Sequence, residues 1–478
     1  MKFDLSYPTG SDEFWLRTLH SRLNGRPQVK PARLADHRFR FTPRQDRMDI
    51  LESYRRGHPP LPSRVSARED VREFLRLARA NYPMLTVEQL LDAVTLQGVR
   101  VGSDSALSDQ LRHLMEGSGP WFADSADLMF TMGEAAVMVW SHEGKVVITP
   151  EDARQLVWDT YLENPTRVSR ALKVRVDEWT GRTVAHLFID EPSGARVRVA
   201  TRDEGGRWEW DESRSGSVEG KVPGLRGMGI PIVPMVNKLR MGEFEPHLET
   251  IDRINEGIGN RLWIAKAQAF RQLTLEADKD SPDLDEDDDL DGKYRLSPDS
   301  LFVAPRGWSF KQIDPVDLRQ HLEAVDKDVR EYSSVSGTPL SATMSDAVNQ
   351  SAEGARAAEK SRDSKAADRI SRLTPAVERV GRLAAAAGGL SIPDGAAVVP
   401  LWESIRTYSP AELGQAALSA QAAGLPRRVV WREFLHLSPE VISEGERLLA
   451  SEQMDAMISA QIDAARSGKQ VSGDGAGA

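Results

Sequence analysis

The sequence predicts an α+β protein, mainly α, on three observations. Apolar residues recur at steps of three and four, the helical period, over 243–269, 315–337 and 351–383. Between residues 135 and 200 the period falls to two and Gly- or Pro-marked turns recur, as in an antiparallel meander. A composition of 40% hydrophobic and 28% charged residues over 478 positions leaves room for a sizeable core.

The stretch 314–389 organises the rest. After Asp314-Pro315, an expected N-cap and first helical position, Leu318, Leu322, Val325, Val329 and Tyr332 mark one face of a helix. Ser336-Gly337-Thr338-Pro339 stops it, because Gly ends helices and the residue before Pro avoids the helical region. A polar segment, Leu340 to Gln350, follows, and then an Ala-rich helix runs from Ser351 to about Leu383, bent at Pro375.

In chain order, residues 11–25 form an amphipathic helix with Trp15, Leu16, Leu19 and Leu23 on one face, closed by Gly25. Residues 26–66 are basic and Pro-punctuated and read as an extended arm. Helices are expected at 68–82, 84–96 and 105–116, and strands at 135–140 and 145–149, joined through Ser141-His142-Glu143-Gly144. Strands at 171–179, 183–189 and 195–200 make the meander, and 203–228 reads as Gly/Ser-rich loop. Ile230 to Pro234 is extended by its prolines and suits an edge strand. Trp121, Trp140, Trp158 and Trp179 sit in or beside strands and are expected in the core.

The helix over 243–269 carries Gly257 and Gly259, which read equally as chance surface glycines or as close approach by a neighbouring helix. An insertion, 271–313, holds short strands at 271–275, 300–304 and 308–313. Residues 391–400 are a Pro/Gly-marked link, helices at 409–423, 426–435 and 439–468 follow, and the last seven residues are a loose tail.

Several function classes are excluded or weakened. With no cysteine there is no disulfide, thiolate metal site or cysteine nucleophile. No run of about 18 apolar residues occurs, so no membrane partner is expected. Residues 1–14 lack the apolar core of a signal peptide, so the chain is expected to stay where it is made. A net charge of −10 argues against coating nucleic acid. The nine histidines are scattered, no nucleophile elbow or P-loop occurs, and Gly224 to Gly229 reads as a turn rather than a phosphate loop. Neither an enzyme nor a cofactor is expected.

The sharpest local signal is acidic: residues 276–291 hold ten carboxylates against one base, Lys279. Asp287, Asp289, Asp291 and Gly292 match the first half of an EF-hand loop, but position twelve is Pro298 rather than a bidentate Glu. A solvated, self-repelling loop is the expectation. A Ca²⁺-binding protein using these three aspartates is one alternative, and a non-viral structural scaffold another.

Six short features occur in order: Tyr54-Arg55-Arg56-Gly57-His58; Asn81 with Val87, Ala93, Val94 and Gly98; Met132-Gly133-Glu134 leading into a strand; Pro234 to Asn237 before a long helix; Ser336-Gly337-Thr338-Pro339 followed by Asn349 to Glu353; and Trp402 with Ser409-Pro410-Ala411-Glu412 and Ala423-Gly424-Leu425-Pro426. In this series the chain resembles the portal (head-to-tail connector) proteins of tailed double-stranded DNA bacteriophages, in the siphovirus-type branch, over roughly residues 11–450.

The resemblance implies a portal-type fold with an α/β wing, paired stem helices, a small β-containing clip and a helical C-terminal crown. It divides the chain into an N-terminal helix (1–25), wing (26–240), first stem helix (241–270), clip (271–313), second stem helix (314–337), tunnel loop (338–350), long wing helix (351–390) and crown with tail (391–478). It implies a homo-dodecameric ring at one capsid vertex, in the virion and, during assembly, in the host cytoplasm. The implied partners are the terminase large subunit, a head-tail adaptor, the major capsid and scaffolding proteins, and double-stranded DNA passing through for packaging and ejection. Ser341, Thr343, Met344, Ser345 and Asn349 would face the DNA channel, and Asp285, Asp287, Asp288, Asp289 and Asp291 would form an acidic docking face.

Overall fold

The computed structural model describes residues 10–24, 44–60, 75–269, 273–277, 308–312, 317–339, 352–405, 410–435, 437 and 439–471. Helix outweighs strand, as the periodicity predicts. The chain divides into two compact units, Met1–Trp402 and Glu403–Ala478.

In the first unit, a five-stranded antiparallel sheet forms around the meander. Its strands, named in chain order after β1–β3 below, are β4 (Leu156–Thr160), β5 (Val168–Val176), β6 (Thr183–Glu191), β7 (Gly194–Arg202) and β8 (Glu209–Ser217), each paired with the next. Helix α1 (Asp12–Asn24) lies on one face. Its Leu16, Leu19 and Leu23 meet Leu172 and the alternate residues Ala185, Leu187 and Ile189, so helix period meets strand period in one core. Arg170 stacks 3.9 Å over the Trp15 ring, and Arg196 pairs with Asp12 at 2.5 Å. Strand β8 falls in the stretch expected to be loop: its polar residues suit an edge, where one row of backbone groups meets water. Trp179 corrects another expectation, since it stands in the β5–β6 turn and is 97% exposed.

A second sheet has β2 (Glu134–His142) between β3 (Lys145–Glu151) and β9 (Ile232–Val236), which is an edge as its prolines require. The β2–β3 turn is tighter than expected: His142 pairs with Lys145, with Glu143 and Gly144 both at positive φ. Helix α2 (Arg44–Arg55) replaces part of the expected arm, its Met48, Leu51 and Tyr54 buried at steps of three. Helix α3 (Tyr82–Ala93) ends sooner than expected, because β1 (Leu96–Val101) follows and pairs antiparallel with β12 (Val398–Trp402). The expected link at 391–400 therefore ends in a strand. Helix α4 (Ser105–Glu116) matches the expectation, and α5 (Trp121–Met132) was not anticipated; Trp121 is buried in a helix, not beside a strand.

After the single turn α6 (Val218–Lys221), helix α7 (Leu248–Ala269) leads into β10 (Leu273–Ala277), and β11 (Trp308–Gln312) leads into α8 (Leu318–Ser336). β10 and β11 pair antiparallel. Helix α8 is capped by Asp317, whose carboxylate accepts the Arg319 amide at 2.9 Å, rather than starting at Asp314-Pro315, which lies outside the described residues. Gly337 closes it at φ 70°. Arg253 of α7 pairs with Asp328 at 3.0 Å and Glu331 at 2.6 Å, while a Cβ at Gly257 would lie 2.9 Å from Val325 Cγ2. As the α7 number rises the α8 number falls, so the helices run antiparallel. The close-approach reading of Gly257 is the correct one; Gly259 instead meets Leu75 and Ala78. Helix α9 (Ala352–Ala387) accommodates Pro375 and packs against β2, β9, β12, α3 and α4.

In the second unit, α10 (Pro410–Ala422) and α11 (Arg427–Glu433) share a core of Ala417, Ala420 and Val430, followed by the long α12 (Pro439–Val471).

Candidate functional site

The channel residues Ser341, Thr343, Met344, Ser345 and Asn349 and the acidic residues Asp285, Asp287, Asp288, Asp289 and Asp291 lie outside the described residues. What precedes and follows the first group is described. The end of α8, the start of α7 and the first half of α9 meet in one polar junction.

Its centre is Glu243, which is almost wholly buried. Its carboxylate accepts from Arg369 Nε at 2.5 Å and Nη2 at 3.1 Å, from Lys365 Nζ at 2.7 Å and from Asn237 Nδ2 at 2.9 Å. A buried charge survives only if paired and hydrogen-bonded, and here both oxygens are satisfied. Burial pushes the Glu243 carboxyl up, but Lys365 and Arg369 outweigh it and hold the group below the usual carboxylate range. Lys365 also donates to the Ser336 carbonyl at 3.0 Å, so one ammonium ties the last turn of α8 to the approach of α7.

Beside this lies a buried hydroxyl chain. Tyr332 Oη and Thr86 Oγ1 are 2.6 Å apart, Thr86 and Thr338 hydroxyls 2.9 Å, and Ser336 Oγ donates to Thr338 Oγ1 at 2.9 Å. Ser333 Oγ donates to the Thr338 carbonyl at 2.5 Å. Burial raises the Tyr332 phenol, so it stays a neutral hydroxyl. The His247 ring packs edge-on to Tyr332, and burial first, then Lys365, keeps its pKa below the ordinary histidine value. Ser336-Gly337-Thr338 is thus a rigid anchor rather than a merely permissive break.

A third cluster supports the approach to α7. Leu239 and Arg240 sit consecutively at φ 58° and 55°, a left-handed conformation that costs non-glycine residues on the order of 1–3 kcal/mol each. The turn is held from several sides: Arg47 donates to the Arg240 carbonyl at 3.0 Å and pairs with Glu245 at 2.5 Å, and Arg240 pairs with Glu134 at 2.8 Å. A Cβ on Gly133 would fall 2.5 Å from the Arg240 backbone, so only glycine fits there.

The other resemblance features are also joints. Tyr54 Oη donates to Asp252 Oδ1 at 2.6 Å, and Arg55 bridges Glu88 at 2.5 Å and Asp127 at 2.9 Å, which joins α2 to α3, α5 and α7. Asn81 caps α3 through the Met84 amide at 3.2 Å. Trp402 Nε1 donates to Thr374 Oγ1 at 3.2 Å. Periodicity missed Glu243, Lys365, Arg369, Thr86 and Tyr332 as a group, because Glu243 and Arg369 are 126 positions apart. The visible signal was two cations four residues apart in an Ala-rich helix, Lys365 and Arg369. The junction offers hydrogen bonds and fixed charge but no activated nucleophile. Among the described residues, no group of three or more histidines and carboxylates is placed to hold a metal ion, and no helix is long and apolar enough to cross a membrane.

No family model matches the chain, and no curated protein matches it. Among solved structures, the chain is similar to one from the neck of an empty GTA particle computed with C6 symmetry, at TM-score 0.42 and 14% identity, over 78% of this chain and 95% of that one. It is also similar to one from the neck of a native GTA particle computed with C12 symmetry, at TM-score 0.41 and 14% identity, over 78% of this chain and 95% of that one.

Proposed function

We propose that this chain is a portal subunit of a tailed double-stranded DNA bacteriophage, one of about twelve in a ring whose channel carries the genome. The observation that supports it most is a burial gradient along the α7–α8 hairpin. At the junction end, Leu248, Ile251, Ile254, Val329 and Tyr332 are buried. Toward the β10–β11 ribbon the same stripes continue through Ile258, Leu262 and Leu322, but Ile258 and Leu262 are only partly buried and Leu322 is 42% exposed. A helix stripe that one chain leaves half covered calls for a neighbouring surface, and copies of the same hairpin side by side would supply it. Among the described residues the ribbon at its end is two-stranded, with edges on which adjacent copies can pair.

In this reading the junction holds the chain just before the segment 340–351 at Thr338, and the polar residues Ser341, Thr343, Ser345 and Asn349 would make weak contacts with DNA. Tight phosphate contacts from this segment would hinder a sliding duplex, because each one adds salt-dependent affinity. The acidic residues Asp285, Asp287, Asp288, Asp289 and Asp291 would repel DNA and dock a basic adaptor or packaging motor. The role is structural and no catalytic step is assigned.

Native mass measurement of the purified chain tests the reading. Twelve copies of 53.0 kDa give about 636 kDa, with a central hole in averaged images. A chain that stays monomeric at every concentration would overturn it.

A further inference from the structure

We propose that the cavity between Lys238 and the first half of α9 binds phosphate groups. It measures about 650 Å³ and is lined, among the described residues, by Lys238, Lys360, Ser361, Ser364, Lys365 and Arg369, with Asp368, which pairs with Arg369 and Arg372, on its wall. Among the described residues no apolar side chain lines it, which sets it apart from an ordinary packing gap.

Three features make this more than a scatter of surface lysines. The α9 residues fall at i, i+1, i+4, i+5, i+8 and i+9 from Lys360, two adjacent rows on one face, so ammonium, guanidinium and hydroxyl donors converge on one space. Glu243, buried behind them, clamps Lys365 and Arg369 at 2.7 and 2.5 Å, which fixes those cations in place. Opposite, Lys238 opens the left-handed Leu239–Arg240 turn; its amide donates to Asn237 Oδ1 at 2.8 Å, and the next residues are held by Arg47 and Glu134. Strained backbone that its surroundings over-determine is a recurrent mark of ligand clamps. Here the strain places a lysine across from the helix face. Lys238 and Lys360 are exposed and have no ion-pair partner among the described residues.

Fixed cations with hydroxyl donors suit phosphate oxygens. The source is either a nucleic-acid backbone or free phosphate or nucleotide. Two experiments on the full chain separate them: anisotropy of a labelled short duplex of arbitrary sequence against salt, and calorimetry with inorganic phosphate and with ATP. Lys238→Ala/Lys360→Ala should weaken duplex binding at least about tenfold and flatten its log–log salt slope by about 2, near 0.9 per phosphate contact. If free phosphate is the source, the duplex slope stays unchanged, and the heat of phosphate or ATP binding disappears in the double variant. Lys145→Ala, on the β2–β3 hairpin, should match wild type in both. Melting curves check folding, and Lys360→Ala alone, at an exposed helix position, serves if the double variant melts early. Wild-type protein that binds neither probe, or a folded double variant that binds both as wild type does, overturns the site. Binding by a chain that never forms rings would keep this inference and sink the portal reading; rings indifferent to phosphate would do the reverse.

Discussion

Arg369 of the long helix presents two nitrogens to Glu243, Nε at 2.5 Å and Nη2 at 3.1 Å, and the pair is buried. Glu243 is shared with Lys365, so its removal takes the acid partner from Lys365 and leaves the buried Arg369 with Asp368 alone. Glu243→Ala should therefore destabilise the first unit by about 3–5 kcal/mol, the range for breaking a buried pair from one side. The sign with pH follows from its lowered pKa. A carboxyl depressed on folding contributes full stability above its unfolded value, about 4.3, and loses it as pH falls through the lower folded value. Urea unfolding of wild type and Glu243→Ala should differ most above that range and converge on acidification. A gap constant down to about pH 2 would contradict the assignment.

The α7–α8 contact makes a second prediction. Gly257 gives α8 room for Val325 Cγ2, and β-branched Val cannot swing away at low cost. Gly257→Val should cost about 1–3 kcal/mol by overpacking. In a Val325→Ala background the cost should shrink, giving a coupling of at least about 0.5 kcal/mol in a double-mutant cycle. Additive effects would mean that the helices do not meet there.

These two cases mark where the sequence is legible. Helices with a sustained stripe, such as Ser105–Glu116 and the stop at Gly337, are local and were readable. Gly257 was readable as a choice between two causes, and only the position of α8 decides it. Helix α2 was hidden among basic residues and prolines, although Met48, Leu51 and Tyr54 carried its face. Strand β12 takes its identity from β1, about 300 residues earlier in the chain, and no local period encodes that pairing. Trp179 shows the opposite error: an aromatic near a strand reads as core, but Thr180-Gly181 places it in a turn. Tyr332 and the Ser336-Gly337-Thr338 stop are legible, but the ion pairs that join them to Glu243 and α9 are not, since contacts between distant segments leave no periodic trace.

The strained turn before α7 yields a third prediction. Leu239 is 81% exposed, so replacing it forfeits little burial, while its left-handed backbone suits Asn far better than Leu. Leu239→Asn should raise stability by about 1 kcal/mol, read as a higher urea midpoint. A lower midpoint would show that the leucine is covered by a neighbour, which native mass measurement of the variant would then reveal as a weakened assembly.

The acidic run gives a fourth. Residues 276–291 carry ten carboxylates and one lysine, and Asp287, Asp288, Asp289 and Asp291 hold four of those charges. If they dock a basic adaptor or motor, the attraction acts through solvent and governs encounter more than residence. Changing all four to Asn should leave the ring mass unchanged and slow association several-fold at low salt. Salt shortens the screening length from about 10 Å at 0.1 M to about 3 Å at 1 M, so the variant and wild type should converge there. Association rates that are equal at low salt would remove these residues from docking. A lost ring would instead assign them to contacts between subunits, where opposite charges on a neighbouring copy must balance them.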